Sequence, residues 1–246
     1  TIEDLSPTLK AYQHLLNADA YEAAASLFGA VDVRFLLPWG FSRKVLALRH
    51  QLKSPLIDPL LPHRHHFAMG LAYRNLGLCR QALKEFSRAG ELVEFDADPT
   101  RALAEIWAES SDAHRLLGHY EEAVALARRA SESFTRLNNR SGEVRSMVLA
   151  GAALRRLGDF AGAIEHGERA IALTTAVPAM TSKQRGDAYW HAGQAYRRAG
   201  ALDTALKYFQ AGLDYARASG DRVGAATALN NMAQTYVSAG VWAEAL

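Results

Sequence analysis

The sequence predicts an all-α protein, a right-handed α-solenoid (superhelix) of antiparallel helix pairs, and three observations carry that reading. Five glycines, Gly77, Gly118, Gly158, Gly200 and Gly240, recur at intervals of 41, 40, 42 and 40 residues. Two positions after each glycine stands an apolar or aromatic residue, and five positions after it stands an alanine: Ala82, Ala123, Ala163, Ala205 and Ala245. Ahead of each glycine one face keeps helical spacing, as Ile106, Trp107, Ser110, Ser111 and His114 do before Gly118. A fixed period of this length means stacked two-helix units that bury their apolar faces against their neighbours.

The elements follow in order. Residues 1–61 form irregular helices leading into the array, and residues 62–246 hold about five repeats, the last one truncated. LKAYQHLLNADAYEAAASLF reads as a helix pair with Tyr21 at the turn and Ala24 as its packing alanine, and Pro38-Trp39-Gly40 as a turn between helices. The first clear copy runs from His66 to Ala89, the second from Ala104 to Ala130, and the third from Met147 to Ala170. The fourth runs from Tyr189 to Gly212 and the fifth from Leu229 to Leu246. The residues between units, such as SESFTRLNNRSGEV, have helix-compatible composition and are expected to lengthen the second helices. Pro178 should end or kink the helix before it.

Hydrophobic residues make up 49% of the 246 and charged residues 22%, the composition of a folded chain. Twenty-eight Lys and Arg against 26 Asp and Glu disfavour a dedicated nucleic-acid surface. The single cysteine, Cys79, forms no internal disulfide, and no apolar run reaches membrane-spanning length, so a cytoplasmic location is expected. The chain begins at Thr1 and stops six residues after Gly240, which reads as a fragment of a longer protein. An array cut there should leave Trp242 and Leu246 exposed and favour end-to-end self-association.

The repeat grammar resembles the tetratricopeptide repeat family. Its small-residue pair falls at Met69-Gly70, Ser110-Ser111, Ala150-Gly151, Ala192-Gly193 and Met232-Ala233. Its first-helix aromatic falls at Tyr73, Tyr196 and Tyr236, with His114 and Leu154 as departures, and its late second-helix aromatic survives as Phe86 and Phe209. The long units look like those of bacterial signalling ATPases and kinesin light chains. FLLPWGFSRKVLALRHQL is similar to the junction after the nucleotide-binding and winged-helix parts of NB-ARC-type signalling ATPases of the STAND class.

That resemblance implies an inner surface built from the first helix of each pair. Arg74, Arg115, Arg155 and Arg197 each stand three residues before a turn glycine, with Asn75, Arg156 and Arg198 beside them. Asp112, Trp190, Gln194, Asn230 and Gln234 should share the groove. Guanidinium groups make bidentate bonds to carboxylate or phosphate, so an acidic peptide, a C-terminal carboxylate or a small anionic ligand is one reading. Local pairing with Glu109, Asp112 and Glu143 is a second, and nucleic-acid phosphates a third. His63 and His66 have metal-ligand spacing, but no Cys or acid accompanies them, so no metal is expected. Cys79 reads as a packing residue.

No Gly-Lys-Ser or Gly-Lys-Thr phosphate loop, HExxH or Gly-x-Ser-x-Gly occurs. Without a closed cavity to perturb carboxylates, the chain is expected to be no enzyme and to need no cofactor. The favoured function is recognition of a protein, peptide or anionic ligand by the sensor part of a multidomain signal-transduction ATPase. A passive assembly scaffold is the alternative, and a substrate-positioning accessory domain of an enzyme a second one.

Overall fold

A computed structural model of the chain describes residues 3–52, 60–96 and 98–240. The described residues hold twelve α-helices and no strand, the helix-pair solenoid architecture that the period predicts. Internal contacts gather the chain into two units, Thr1–Leu117 and Gly118–Leu246.

The first unit contains α1 (Ser6–Asn17), α2 (Tyr21–Gly29), a π-helical turn (Asp32–Leu36), α3 (Ser42–Arg49), α4 (Leu60–Asn75), α5 (Cys79–Glu91) and α6 (Pro99–Leu117). The first two helices close a pair around Tyr12 and Phe28, both fully buried with ring centroids 4.9 Å apart. Ala24 is fully buried at that junction, the place its repeat position assigns. The Tyr12 hydroxyl donates to Leu48 O at 2.6 Å and ties α1 to α3. Asp32 and Arg49 form a buried ion pair, their side chains 0% and 3% exposed. Between α4 and α5, a Cβ on Gly70 would lie 2.4 Å from the Phe86 ring. The small residue of the first helix therefore makes room for the late aromatic of the second, and burying Phe86 contributes roughly 1.5–3 kcal/mol.

The second unit contains α7 (Tyr120–Arg136), α8 (Arg140–Leu157), α9 (Phe160–Ala176), α10 (Ser182–Arg198), α11 (Leu202–Ala218) and α12 (Arg222–Ser238). Consecutive helices pack as antiparallel neighbours, and α8, α10 and α12 also touch one another in series. Ala123, Ala163 and Ala205 are 0–2% exposed, so the packing alanines sit where backbones approach. The Gly193–Phe209 contact repeats the Gly70–Phe86 fit at 2.7 Å, and Gly167, standing where the aromatic is lost, lets Ala192 approach. The five turn glycines have φ between 75° and 88°, a left-handed conformation that L side chains disfavour.

The junction residues divide: SESFTR lengthens α7 to Arg136 and DYARA lengthens α11 to Ala218, as expected, but the residues after them do not. NRSGEVR and DRVGAAT do not extend the preceding second helices; they open α8 and α12. Asn139 Oδ1 accepts from Gly142 N at 3.0 Å and Asp221 Oδ1 from Gly224 N at 2.9 Å, and Thr181 with Gln184 forms a capping box on α10. An Asx residue followed three positions later by a glycine is thus a helix start in this chain. α9 stops at Ala176, two residues before Pro178, with Val177 extended. Ala245, Trp242 and Leu246, with the end-to-end contact they were expected to promote, lie outside the described residues.

Candidate functional site

The arginines three residues before the turn glycines do not share one environment. In the first unit Arg74 lies 3.0 Å from Glu109 and 2.9 Å from Asp112, reaching from α4 to α6. Asp112 also takes Arg115 at 2.6 Å. Burial alone would raise the Asp112 carboxyl; Arg115 and Arg74 outweigh it and hold it below the usual carboxylate range. Asn75 is exposed beside Arg74. Both guanidiniums here are engaged by acids of their own unit.

In the second unit the same reach ends on a neutral group. Arg197 donates from α10 to Gln234 Oε1 on α12 at 2.8 Å. Asp112 and Gln234 each stand six residues before their turn glycine, so they are equivalent positions filled by an acid and an amide. Among the described residues Arg197 has no carboxylate partner, and its Nε is buried without a hydrogen bond. Burial, and then the neighbouring Arg198, lower its proton affinity, the mark of a cation short of compensation. Arg197 and Arg198 line a shallow groove of about 240 Å³ with Phe160 and Ser238. Arg156 stacks over Tyr120, 5.5 Å from the ring centroid, and donates to its hydroxyl at 3.0 and 3.1 Å. Arg155, four residues after Gly151 on α8, is half-buried.

The amides divide in a way that sequence reasoning missed. Gln194 is buried and donates to Asn231 Oδ1 at 3.4 Å, while Asn230 is exposed. Asn231, 5% exposed, was not singled out. The repeat register offers the signal, since Glu109, His191 and Asn231 all stand nine residues before a turn glycine. Glu168 was also missed; it accepts hydrogen bonds from both Tyr196 and Tyr208. Trp190 sits against His191 at 4.3 Å and faces a cavity between α10 and α12.

The histidines take separate structural partners. His63 Nδ1 lies 2.9 Å from Ala89 O and His66 Nδ1 2.7 Å from Glu85 Oε2. Burial first, then Arg49 and His66, push His65 down to about 3. The described residues hold no cluster of metal-ligating side chains. Cys79 is buried, and burial raises its thiol. No described helix is long and apolar enough to cross a membrane.

No curated protein matches the sequence. Solved structures do match in fold. Aspartyl phosphate phosphatase F from Bacillus subtilis is 15% identical, with a TM-score of 0.69 over 100% of this chain and 72% of its own. NprR in complex with its cognate peptide NprX is 14% identical, with a TM-score of 0.69 over 98% of this chain and 71% of that one. A signal transduction ATPase with numerous domains, carrying a tetratricopeptide repeat sensor, from Pyrococcus horikoshii is 17% identical, with a TM-score of 0.72. That match covers 93% of this chain, which spans 35% of the Pyrococcus protein.

The phosphatase corrects the expectation that this chain is no enzyme. A protein with the same helix-pair architecture along the whole chain is named for a catalytic activity, so the architecture does not exclude catalysis. The exclusion rested on the premise that no closed cavity perturbs a carboxylate, yet burial raises the carboxyl of Asp187, which lines the α10–α12 cavity. The tetratricopeptide repeat family matches residues 102–176 and 184–246. Those segments make up more than half of the sequence, and the chain belongs to the tetratricopeptide repeat family.

Proposed function

We propose that the chain is a peptide- or protein-recognition unit of a cytoplasmic regulatory protein, and that it takes an anionic group of its partner at Arg156, Arg197 and Arg198. The observation that carries the reading is the Arg197–Gln234 contact, because the equivalent slot in the first unit holds a carboxylate. An arginine bonded to an amide keeps its full charge for an incoming carboxylate or phosphate. Asn230 and Gln234 are exposed on α12 and supply amide contacts. Arg155 belongs to the same first-helix series, whereas Arg74, Asp112 and Arg115 serve the first unit through its internal ion pairs and Asn75 stays exposed beside them.

A peptide partner has support from the peptide-bound NprR fold. The finer reading, the sensor part of a signal-transduction ATPase, has support from the sensor of the Pyrococcus protein. A short-peptide library panned in parallel on the native chain and on an Arg197→Glu/Arg198→Glu variant tests the proposal. The native chain should enrich acidic peptides and the variant should lose them, while chemical denaturation shows a loss of about 1 kcal/mol, the usual cost of a point substitution. Equal enrichment by both proteins overturns the arginine reading.

A further inference from the structure

The opposite half of α10 carries a second feature. Ahead of the arginines, α10 and α12 part over α11 and leave a cavity of about 240 Å³. Its walls come from Asp187 and Trp190 on α10 and from Val223 and Ala228 on α12, and its floor from Phe209 and Gly212 on α11. We propose that this cavity receives one positively charged side chain on an apolar stem, an arginine or lysine of a peptide or protein partner. The inference concerns the N-terminal half of α10 and stands apart from the arginine reading.

Size decides against a larger occupant, since small-molecule sites span roughly 300–1,000 Å³ and this cavity lies below that range. Packing does not force the missing side chain at Gly186. A Cβ there would meet Gly212 O at 3.5 Å and Tyr215 Cβ at 3.6 Å, ordinary contacts, so the glycine widens the cavity without being required by its neighbours. The interior is apolar, and Val223 is left 78% exposed at the mouth. An alkyl stem fits there better than a polar group.

Charge sets the sign of the occupant. Lys183 Nζ stands 3.4 Å from Asp187 and 3.9 Å from Asp221, so two carboxylates share one ammonium. Burial raises the Asp187 carboxyl, Lys183 opposes, Asp221 adds to the rise, and the net shift is upward. Two carboxylates against one ammonium leave the rim with an excess negative charge, and a second cation would favour the ionised pair. The N-termini of α10 and α12 border the cavity and would attract an anion, but both are closed internally. The Thr181–Gln184 capping box closes α10, and Asp221 itself accepts from Gly224 N on α12. Trp190 lines the cavity and offers an indole wall for a cation.

The test titrates the chain with the N-acetyl amides of arginine, citrulline, norleucine and glutamate. The readout is the Trp190 indole N–H resonance, assigned by its loss in Trp190→Phe. Citrulline keeps the shape of arginine without its charge, and norleucine keeps only the apolar stem. Arginine amide should bind at least ~10-fold more tightly than citrulline amide, with glutamate amide weakest. Asp187→Asn, at a half-exposed position, should bring arginine down to the citrulline level and leave citrulline unchanged. Asp221→Asn, which keeps a capping side chain, should act in the same direction. Citrulline or norleucine binding as tightly as arginine overturns the proposal, as do tighter binding of glutamate and an unmoved Trp190 signal with arginine amide.

Discussion

Arg74 in the first unit and Arg197 in the second occupy the same repeat position and reach the same way, from one first helix to the next. Arg74 finds Asp112 and Glu109; Arg197 finds Gln234. One slot is neutralised within the fold and the other keeps its positive charge. The difference teaches that repeat ancestry fixes where a side chain reaches, while a single substitution at the receiving position decides whether the reach is structural or available to a ligand. Recurrence of arginine along the sequence is thus evidence of a shared geometry and not of a shared role.

The comparison breaks most readily at the receiving residues. Asp112→Ala removes a mostly buried carboxylate from two guanidiniums and should destabilise the first unit by about 3 kcal/mol, at the lower edge of what breaking a buried pair costs. Gln234→Ala should cost ~0.5 kcal/mol or less, as exposed substitutions do. Chemical denaturation of the two variants checks this, and similar losses would mean that the two slots are energetically alike. Gly70→Ala and Gly193→Ala supply the control, because each drives a methyl into an aromatic ring, Phe86 or Phe209. Both should cost ~1–3 kcal/mol from overpacking, and a large difference between them would show that the units are not packed by one rule.

Acid sharpens the contrast. His65 is held neutral in the first unit, its pKa lowered to about 3 from an ordinary 6.5. Its unfolded form takes a proton first, so stability is full above pH 6.5 and falls as pH drops from there toward 3. At pH 5 the loss should be about 1–2 kcal/mol, and His65→Gln should flatten that limb. Asp112 adds a second loss below the ordinary carboxylate range, since its folded pKa is depressed. His166 in the second unit also shifts down, through burial and then Arg128 and Arg169. Amide exchange measured from pH 7 to 5 should nonetheless show the first unit opening more. Gln234→Asp should likewise change stability little, within ~1 kcal/mol. It recreates the first unit's slot in the second and should abolish enrichment of acidic peptides; retained enrichment would detach Arg197 from ligand capture.

Much of the fold was legible because it is written locally and then repeated. Turn glycines, packing alanines and the Gly70–Phe86 and Gly193–Phe209 pairs all follow from sterics within a single helix pair. The helix starts were harder to read: Asn139 and Asp221 fall in stretches expected to lengthen the preceding helices, yet their side chains accept from Gly142 and Gly224 and open α8 and α12. The candidate site was less legible. Gln194 was expected to face a ligand, yet it is buried against Asn231. Trp190 was expected beside the arginines, but it faces the cavity over α11.

By itself the sequence determined the period, the helix pairs and the residues at which backbones approach, because helical spacing and left-handed glycines depend on neighbours a few positions away. Only the tertiary structure decided which arginines are neutralised, which amides are buried and where α10 and α12 part. Those outcomes depend on side chains about forty residues apart in the chain meeting at hydrogen-bond distance. There an acid or an amide at one position, or a glycine such as Gly186 where a side chain would also fit, changes the charge and the space without disturbing the helix that carries it.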